Sequence, residues 1–357
     1  MKINKKLIVF MILLFAVVLI SGCGSSNDSD SSGNVEKDDS KEKIVIKWGH
    51  FAPPDQPLEL ALQKMVKRIS DRTDGRVQID TFPASQLGSI PEQLEQVMGG
   101  SLQMMYSTPS PFAAFQPEWS VVDAPFVFDD IDHAREFARS DMVQEMAKEF
   151  LDEKGVRILD PSPIFGPRHL STKNTPVKTP ADLKGLKIRV HEAQTRVDMI
   201  EAWGASPVVT PTAEMYLSMQ TGLADGQESP LSWQMDNKYW EVQKYVMLTN
   251  HFIQNEMVII NEEFYQSLPE DIKEILLEEV SILADDVTNM YIEANEAAKA
   301  VLEANGMVII EDVDLDAFRE ATESMWSKWE SQWGEGAHQR VIDRDYNVLT
   351  PEEWRNY

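Results

Sequence analysis

The chain has 357 residues, and its 59 acidic residues outnumber its 33 lysines and arginines, so the net charge at pH 7 is −26. This excess of negative charge argues against nucleic acid and against anionic lipid as partners. The chain is long enough to form two lobes or domains after its N-terminal segment.

The N-terminus predicts export. Three lysines lie among the first six residues. An apolar run at 7–20 follows them, shorter than the roughly 20 residues that span a bilayer. The sequence Ile20-Ser21-Gly22-Cys23 resembles a bacterial lipobox. We predict that residues 1–22 are a signal peptide and that Cys23, the only cysteine, is lipidated. The alternative is an ordinary signal peptide with an incidental cysteine.

Residues 23–43 are rich in Ser, Asp, Asn, Glu and Lys and contain no aromatic residue. Such a segment buries too little apolar surface to fold, so it is predicted to be a flexible tether. The mature protein is then expected outside the cytoplasm, at the cell surface or in the periplasm, and attached to the membrane by acyl chains.

Strands and helices alternate through the first half of the folded part. Alternating apolar and polar residues predict strands, whereas apolar residues three and four positions apart predict helices. The predicted strands lie at 44–48, 77–80 and 102–106, and the predicted helices at 58–69 and 91–98. This order favours an α/β sheet, whose ligands bind beyond the carboxyl ends of the strands.

The same order recurs in the second half of the chain. Strands are predicted at 185–190 and 207–209, short helices before 203 and at 214–220, and a long amphipathic helix at 269–305. Two α/β lobes are therefore expected.

Three tryptophans, Trp326, Trp329 and Trp333, fall on one face of a further predicted helix. An exposed docking surface is one interpretation of this face. A helix packed onto a lobe is the interpretation that we favour, because large aromatic side chains are mostly buried.

No catalytic motif is present. The six histidines show no HExxH or other metal-ligand spacing, no serine lies in a GxSxG turn, and no glycine-rich phosphate loop occurs. We therefore predict no metal, no cofactor and no enzymatic activity. A site assembled from distant residues stays open at this point.

Several segments together carry a family resemblance. They are 166–168 (GPR), 179–190 (TPADLKGLKIRV), 204–207 (GASP), 214–216 (EMY) and 220–230 (QTGLADGQESP), with 49–50 (GH), 82–88 (FPASQLG), 123–128 (DAPFVF) and 268–271 (LPED). Their order and spacing resemble the extracytoplasmic solute-binding subunits of tripartite ATP-independent periplasmic (TRAP) transporters, the DctP family. The resemblance covers roughly residues 44–335.

The resemblance implies an α/β, two-lobe periplasmic-binding-protein-like fold with a hinge and a long lobe-spanning helix. Lobe I is expected at 44–165 plus about 255–290, lobe II at 166–254 plus about 291–340, and a C-terminal tail at 341–357. It also implies that a monomer captures a small organic acid and delivers it to small and large integral membrane subunits.

Arg189 is the principal candidate site residue. It ends a predicted strand, and its planar guanidinium can make two parallel hydrogen bonds to a carboxylate. Taken alone, a strand-end arginine is more often part of a surface salt bridge. The resemblance implies that Arg189 clamps the ligand carboxylate and that Arg168 is a second site arginine.

Two positions depart from the family pattern. Ser229 stands where the family usually has an asparagine that touches the ligand carboxylate, and Thr212 stands where many members place Phe or Trp. Phe51, Thr108 and Pro111 also do not suit a polyhydroxylated nine-carbon acid. The pocket is therefore predicted not to bind sialic acid.

Further pocket residues are expected from both lobes. Loops of lobe I supply His50, Gln86, Tyr106 and Ser107, and lobe II supplies Gln227, Trp233 and Glu192. Glu192 has an alternative role as an acidic residue at a helix N-terminus, where the helix dipole favours it.

The ligand itself stays open between C4-dicarboxylates and sugar acids such as uronates or aldonates. Two alternative functions are a lipid-anchored binding protein for an ABC importer or a sensor, and a secreted hydrolase.

Overall fold

The computed structural model describes residues 43–357. The predicted signal peptide, Cys23 and almost all of the tether therefore lie outside the described residues. The described strands are β1 (Ile44–Gly49), β2 (Val77–Phe82), β3 (Met104–Ser107), β4 (Val156–Asp160), β5 (Ile164–Thr172), β6 (Lys187–Val190), β7 (Ser206–Val209), β8 (Gly226–Pro230), β9 (Tyr245–Asn255), β10 (Met257–Asn261) and β11 (Val308–Ile310).

The strands alternate with helices, as the periodicity predicts. The described α-helices are α1 (Pro57–Arg72), α2 (Ile90–Met98), α3 (Ile131–Ala138), α4 (Asp141–Lys154), α5 (Gln194–Ala202), α6 (Met215–Gln220), α7 (Leu231–Asp236), α8 (Glu262–Ser267), α9 (Glu270–Ala304), α10 (Leu315–Trp333), α11 (Ala337–Ile342) and α12 (Pro351–Arg355). None of the helices within 43–357 has both the length and the apolar character needed to cross a membrane.

Two sheets organise the described chain. The first has the strand order β2-β1-β3-β10-β4, and the second has the order β11-β9-β5-β8-β6-β7. In the first sheet β1 runs parallel to β2 and β3, and β10 is antiparallel to its neighbours. In the second sheet β6 runs parallel to β7 and β8, and β5 is antiparallel to β8 and β9. The predicted α/β architecture is confirmed.

The chain passes twice between the two sheets over very short connections. Residues 161–163 join β4 to β5, and the single residue Glu256 joins β9 to β10. The backbone N–H of Glu256 donates to the carbonyl oxygen of Pro163 at 2.9 Å, so the two connections lie side by side. This is the place where a hinge between the sheets would bend.

The long helix α9 packs against elements of both sheets. It contacts β4 of the first sheet and β5 and β11 of the second, together with the helices α1 and α7. Its buried apolar face repeats at helical spacing and consists of Ile272, Leu276, Val280, Leu283 and Val287. Each such buried side chain contributes roughly 1.5–3 kcal/mol to stability. The predicted lobe-spanning helix is confirmed, with ends within one residue of those expected from 269–305.

The tryptophan face of α10 packs against the protein. Trp329 and Trp333 are 6% and 5% exposed, and Trp326 is half-buried. The indole N–H of Trp329 donates to Asp198 of α5 at 2.7 Å, and that of Trp333 donates to Ser120 at 2.7 Å. The prediction of a packed helix is confirmed.

The last residues of the chain also pack. Trp354 of α12 is 2% exposed, and the hydroxyl of Tyr357 donates to the carbonyl of Ile158 in β4 at 2.9 Å. The segment 341–357 therefore covers the edge of the first sheet. The boundaries of the two lobes stay predictions.

Candidate ligand-binding site

A cavity opens at the carboxyl ends of parallel strands from both sheets. Phe51 and Thr108 follow β1 and β3, while Arg189 and His191 lie at the end of β6 and just beyond it. Its empty volume is about 440 Å³, part of which is open to solvent. The lining residues are Phe51, Ile90, Thr108, Phe165, Arg168, Arg189, His191, Thr212, Met215, Ser229, Pro230, Trp233, Gln254 and Glu256.

Arg189 is held rigidly at one side of this cavity. Gly185, with φ +84°, makes the turn that leads into β6, and Arg189 is 1% exposed. Its Nε and Nη2 both donate to the carbonyl oxygen of Thr210, at 3.1 and 2.5 Å. Its Nη1 has no hydrogen-bond partner among the described residues. The guanidinium edge formed by Nη1 and the second Nη2 hydrogen is therefore available to a ligand.

Arg189 also carries a positive charge with no carboxylate within ion-pair distance in the described chain. Burial lowers its pKa to about 10, although the more distant Tyr239 and Glu228 oppose the decrease. The group still stays protonated at neutral pH, because that pKa lies well above 7. A buried charge without a partner is costly, and a bound anion relieves that cost.

Arg168 differs from Arg189 because it is fully engaged within the protein. Its Nε and Nη2 donate to the two carboxylate oxygens of Glu228 at 2.5 and 2.9 Å, and its Nη1 donates to Gln254 at 3.2 Å. The strand pairing of β5 with β8 brings the two residues together. Gly226 permits this pairing, because a Cβ there would lie 2.3 Å from the carbonyl oxygen of Ser171.

A third buried arginine completes this network. Arg196 donates to Asp123 at 2.9 Å and to Glu228 at 3.2 Å, and its guanidinium lies 3.6 Å from the ring centre of Phe252. Burial acts to raise the pKa of Glu228, but Arg168 and Arg196 outweigh it and hold that pKa well below the usual value. The carboxylate of Glu228 is therefore ionised, and it neutralises the arginines around it.

Other polar groups that line the cavity also lack partners. Among the described residues, none bonds to the hydroxyl of Ser229, Nε2 of His191 or either carboxyl oxygen of Glu256. Burial, followed by Arg196 and Arg168, lowers the pKa of His191 well below its usual value, so its ring is neutral. Buried polar atoms in proteins nearly always have a partner, so a group of unpaired ones around a cavity marks a place for a polar ligand.

Three aromatic rings form the apolar wall of the cavity. The ring centres of Phe51, Phe165 and Trp233 lie 6.0 to 6.2 Å from one another. The indole N–H of Trp233 donates to the hydroxyl of Tyr239 at 3.0 Å, which fixes the ring. Such a wall packs against the carbon skeleton of a ligand while the arginine side binds its polar groups.

This two-sheet cavity, with a buried arginine at the end of β6, agrees with the comparison to protein families. Residues 48–332 match the family described as bacterial extracellular solute-binding protein, family 7 (DctP). The chain belongs to this family.

Relatives in the DctP family have named ligands. The C4-dicarboxylate-binding periplasmic protein DctP of Vibrio cholerae is 31% identical over 300 residues, which are 82% of this chain and 88% of that protein. The 2,3-diketo-L-gulonate-binding periplasmic protein YiaO of Escherichia coli is 29% identical over 276 residues, or 77% of this chain and 84% of that protein.

Solved structures give the same result. A TRAP periplasmic solute-binding protein from Actinobacillus succinogenes with bound L-galactonate matches at a TM-score of 0.80 and 26% identity, covering 84% of this chain and 99% of that one. This DctP-family chain is thus a TRAP-type extracytoplasmic solute-binding protein with the two-lobe fold. The alternatives of an ABC-importer subunit, a sensor and a hydrolase find no support.

Five of the site residues predicted from the DctP resemblance line the cavity. They are Arg168, Arg189, Thr212, Ser229 and Trp233. Thr212 is half-buried. Ser229 is 1% exposed.

The other predicted site residues do not line this cavity. Gln227 donates from its side chain to Ser171 at 2.8 Å, within the β8–β5 pair. His50 bonds to Glu59 at 2.7 Å, in the interior next to α1. Gln86 is exposed on the loop after β2.

Three more predicted residues lie near the cavity but outside its lining. Tyr106 is buried in the first sheet, and Ser107 donates to the carbonyl of Thr108 at 2.9 Å. Glu192 lines two neighbouring depressions, one of which includes Thr212 and Pro211. The structure thus brings five of the eleven predicted residues to one surface.

Several residues that line the cavity were not predicted from the sequence. His191 could have been found, because it follows Arg189 by two positions and side chains two apart share one face of an extended strand. Glu256 offered a weaker signal as the only charged residue in 252–260. Phe165 and Gln254 carry no local sign of their role, since the long-range pairing of β5 with β9 brings them to the cavity.

Proposed function

We propose that this protein captures a small organic acid and that Arg189 binds its carboxylate. One observation carries the proposal: of the three buried arginines in the described chain, Arg168 and Arg196 have carboxylate partners and Arg189 has none. Arg189 also lines the cavity, and its Nη1 has no hydrogen-bond partner among the described residues. A planar carboxylate can accept two hydrogen bonds from that edge.

Capture requires the two predicted lobes, 44–165 plus about 255–290 and 166–254 plus about 291–340, to close on the ligand. The cavity is lined from both sheets, and the paired connections at 161–163 and Glu256 are the natural hinge. A ligand drives closure only if it binds the closed form better than the open one. The protein would then act as a monomer and pass the acid, chemically unchanged, to the membrane subunits of its transporter.

The N-terminal segment supports a lipid anchor as part of this function. Residues 1–22 would be removed as a signal peptide, Cys23 would carry the acyl chains, and 23–43 would be the tether. Cys23→Ser should move the exported protein from the membrane fraction to the soluble fraction of the host cell. Recovery of both forms in the same fraction would argue against the anchor.

The ligand belongs to the class of C4-dicarboxylates and sugar acids. This class includes the ligands in the names of the two relatives and the L-galactonate of the solved structure. A thermal-shift panel of organic and sugar acids is the first test, since a ligand that binds only the folded state raises the melting temperature.

Calorimetry should then show one site per chain, with the acid recovered unaltered after release. The variant Arg189→Met should lose the response to every acid in the panel. Equal binding by wild type and this variant would show that Arg189 does not bind the carboxylate, and consumption of the acid would indicate an enzyme.

A further inference from the structure

Glu256 occupies an unusual position for an acidic residue. It is the whole connection between β9 and β10, at the crossing between the two sheets, and its side chain is fully buried in the lining of the cavity. Neither of its carboxyl oxygens has a hydrogen-bond partner among the described residues. Only its backbone is bonded, to Pro163. The side chain therefore has no structural bond to explain its presence.

The groups around Glu256 determine its charge. The two arginines that act on Glu256, Arg168 and Arg196, are already bonded to Glu228 and Asp123, and Asp123 adds a negative charge. Burial, together with Asp123, raises the pKa of Glu256 well above its usual value, and the two arginines only partly oppose this. A carboxyl group in this environment tends to keep its proton.

Tyrosine hydroxyls complete these surroundings. Tyr106 on β3 and Tyr291 on α9 are both buried, and a negative charge on Glu256 would raise the pKa of both, after burial itself. Asp160 at the end of β4 acts on Tyr106 in the same direction. Both tyrosine hydroxyls therefore stay protonated and uncharged at neutral pH.

The charges that line the cavity therefore leave a single positive charge to neutralise. Arg168 and Arg196 are balanced by Glu228 and Asp123. Of the three buried arginines, Arg189 alone lacks a carboxylate partner among the described residues. The cavity thus presents one cationic group, Arg189, and one uncharged carboxyl group, Glu256. A second ligand carboxylate would meet no free cation.

We propose, building on the proposed function, that Glu256 determines specificity by hydrogen-bonding a ligand hydroxyl, and that the site selects hydroxylated acids with one carboxylate over dicarboxylates. A protonated carboxyl donates through its O–H and accepts through its C=O, and a hydroxyl group can do both in return. Sites that hydrogen-bond a substrate hydroxyl discriminate strongly, because an analogue without it leaves buried polar groups unpaired.

Two pairs of acids test the selectivity. L-galactonate and galactarate differ only at C6, where a hydroxymethyl group is replaced by a carboxylate, and D-erythronate and meso-tartrate differ in the same way at C4. In the pair whose length fits the cavity, the monocarboxylate should bind at least roughly 100-fold more tightly at neutral pH, as measured by calorimetry. Equal or tighter binding of the dicarboxylate would overturn the inference.

Two variants test the residue. Glu256→Gln keeps a donor and an acceptor and should bind the preferred monocarboxylate within a few-fold of wild type. Glu256→Met should bind it at least tenfold more weakly, yet its unliganded melting temperature should equal or exceed that of wild type, because an unpaired buried carboxyl is removed. A merely structural role would lower the melting temperature of Glu256→Met and leave the affinity unchanged, contradicting the proposal.

The outcome for Arg189 separates this inference from the function on which it rests. If the wild-type protein prefers the dicarboxylates and Arg189→Met abolishes their binding, only the role of Glu256 is overturned. Failure of all four acids to raise the melting temperature, even at about 10 mM, would count against both. If Glu256→Met does not fold, Glu256→Gln with the matched acids still decides, since loss of monocarboxylate binding in that variant would also overturn the role.

Discussion

Arg189 and Thr210 form a bond in which one carbonyl oxygen accepts from both Nε and Nη2 of the same guanidinium. This bond uses one edge of the arginine to fix its orientation and leaves Nη1 for a ligand. Because Thr210 belongs to the loop after β7, the parallel pair β6–β7 is what holds the clamp in place. The ligand therefore meets a preorganised donor rather than a flexible side chain.

The first prediction concerns Arg189→Lys. Lysine keeps the charge but cannot both hold Thr210 and offer two parallel donors to a carboxylate. We expect affinity for L-galactonate, or for the best acid of the panel, to fall at least roughly 100-fold, equivalent to about 2.7 kcal/mol. Calorimetry measures the loss.

Arg340→Lys is the matched control, because Arg340 lies half-exposed on the surface at 48%. It should bind as wild type does. Unchanged affinity of Arg189→Lys would contradict the assignment of the carboxylate to Arg189.

The second prediction contrasts stability with function. Removing one partner of a buried ion pair strands the other charge, so Glu228→Gln should destabilise the protein by about 3–5 kcal/mol. Glu228 is fully buried and bonded to both Arg168 and Arg196. Urea unfolding measures this loss. Arg189→Met removes an unpaired buried charge and should leave the unliganded stability equal or higher.

Glu278→Gln is the control for Glu228, since the side chain of Glu278 forms an ion pair with Arg72 and is 50% exposed. It should cost no more than about 1 kcal/mol. Similar losses for both glutamines would show that the buried network stabilises the fold less than its geometry indicates.

Periodicity predicted most of the fold, because helices and strands depend mainly on local spacing. The helix expected at 58–69 is Pro57–Arg72, and the one expected at 269–305 is Glu270–Ala304. Arg189, which was predicted from its motif, lines the cavity. The sequence analysis thus succeeded where the signal lies within a short segment.

The rest depends on contacts between distant segments. The pairing of Arg168 with Glu228 joins residues 60 positions apart, and it follows only from β5 lying beside β8. For the same reason the sequence could not show that Arg168 has a carboxylate partner and that Arg189 has none among the described residues. Glu256 lines the cavity because two short connections run side by side, a property of sheet order that no local pattern contains.

The third prediction concerns pH. Burial lowers the pKa of His169 to about 3 and, against the opposing effect of Glu228, that of His251 to about 4. In the unfolded chain both titrate near the ordinary value of about 6.5. The unfolded state therefore binds protons first as the pH falls, and stability should drop from about pH 6.5 down to about pH 4, by up to about 1.4 kcal/mol per pH unit for each histidine.

Glu256 acts in the opposite sense. Its raised pKa contributes stability that is present at low pH and is lost as the pH rises above the ordinary glutamate value. Between pH 7 and pH 5 it therefore masks part of the loss caused by the histidines. Urea unfolding of Glu256→Gln should show a larger loss over this interval than wild type. An identical loss would mean that Glu256 is ionised in the folded protein.

The last prediction concerns the tryptophan face of α10. Trp329 is 6% exposed and donates to Asp198, which also accepts from Lys328 at 2.7 Å. Trp329→Ala should leave a cavity and an unpaired carboxylate oxygen, and so destabilise the protein by about 3–5 kcal/mol.

Trp326→Ala is the matched control, because Trp326 lies on the same face but is only half-buried and has no hydrogen-bond partner for its indole N–H among the described residues. We expect a loss of no more than about 2 kcal/mol in urea unfolding. A docking surface would behave differently, since its tryptophans could be replaced with little effect on stability. Equal, small losses for both variants would therefore favour docking over packing.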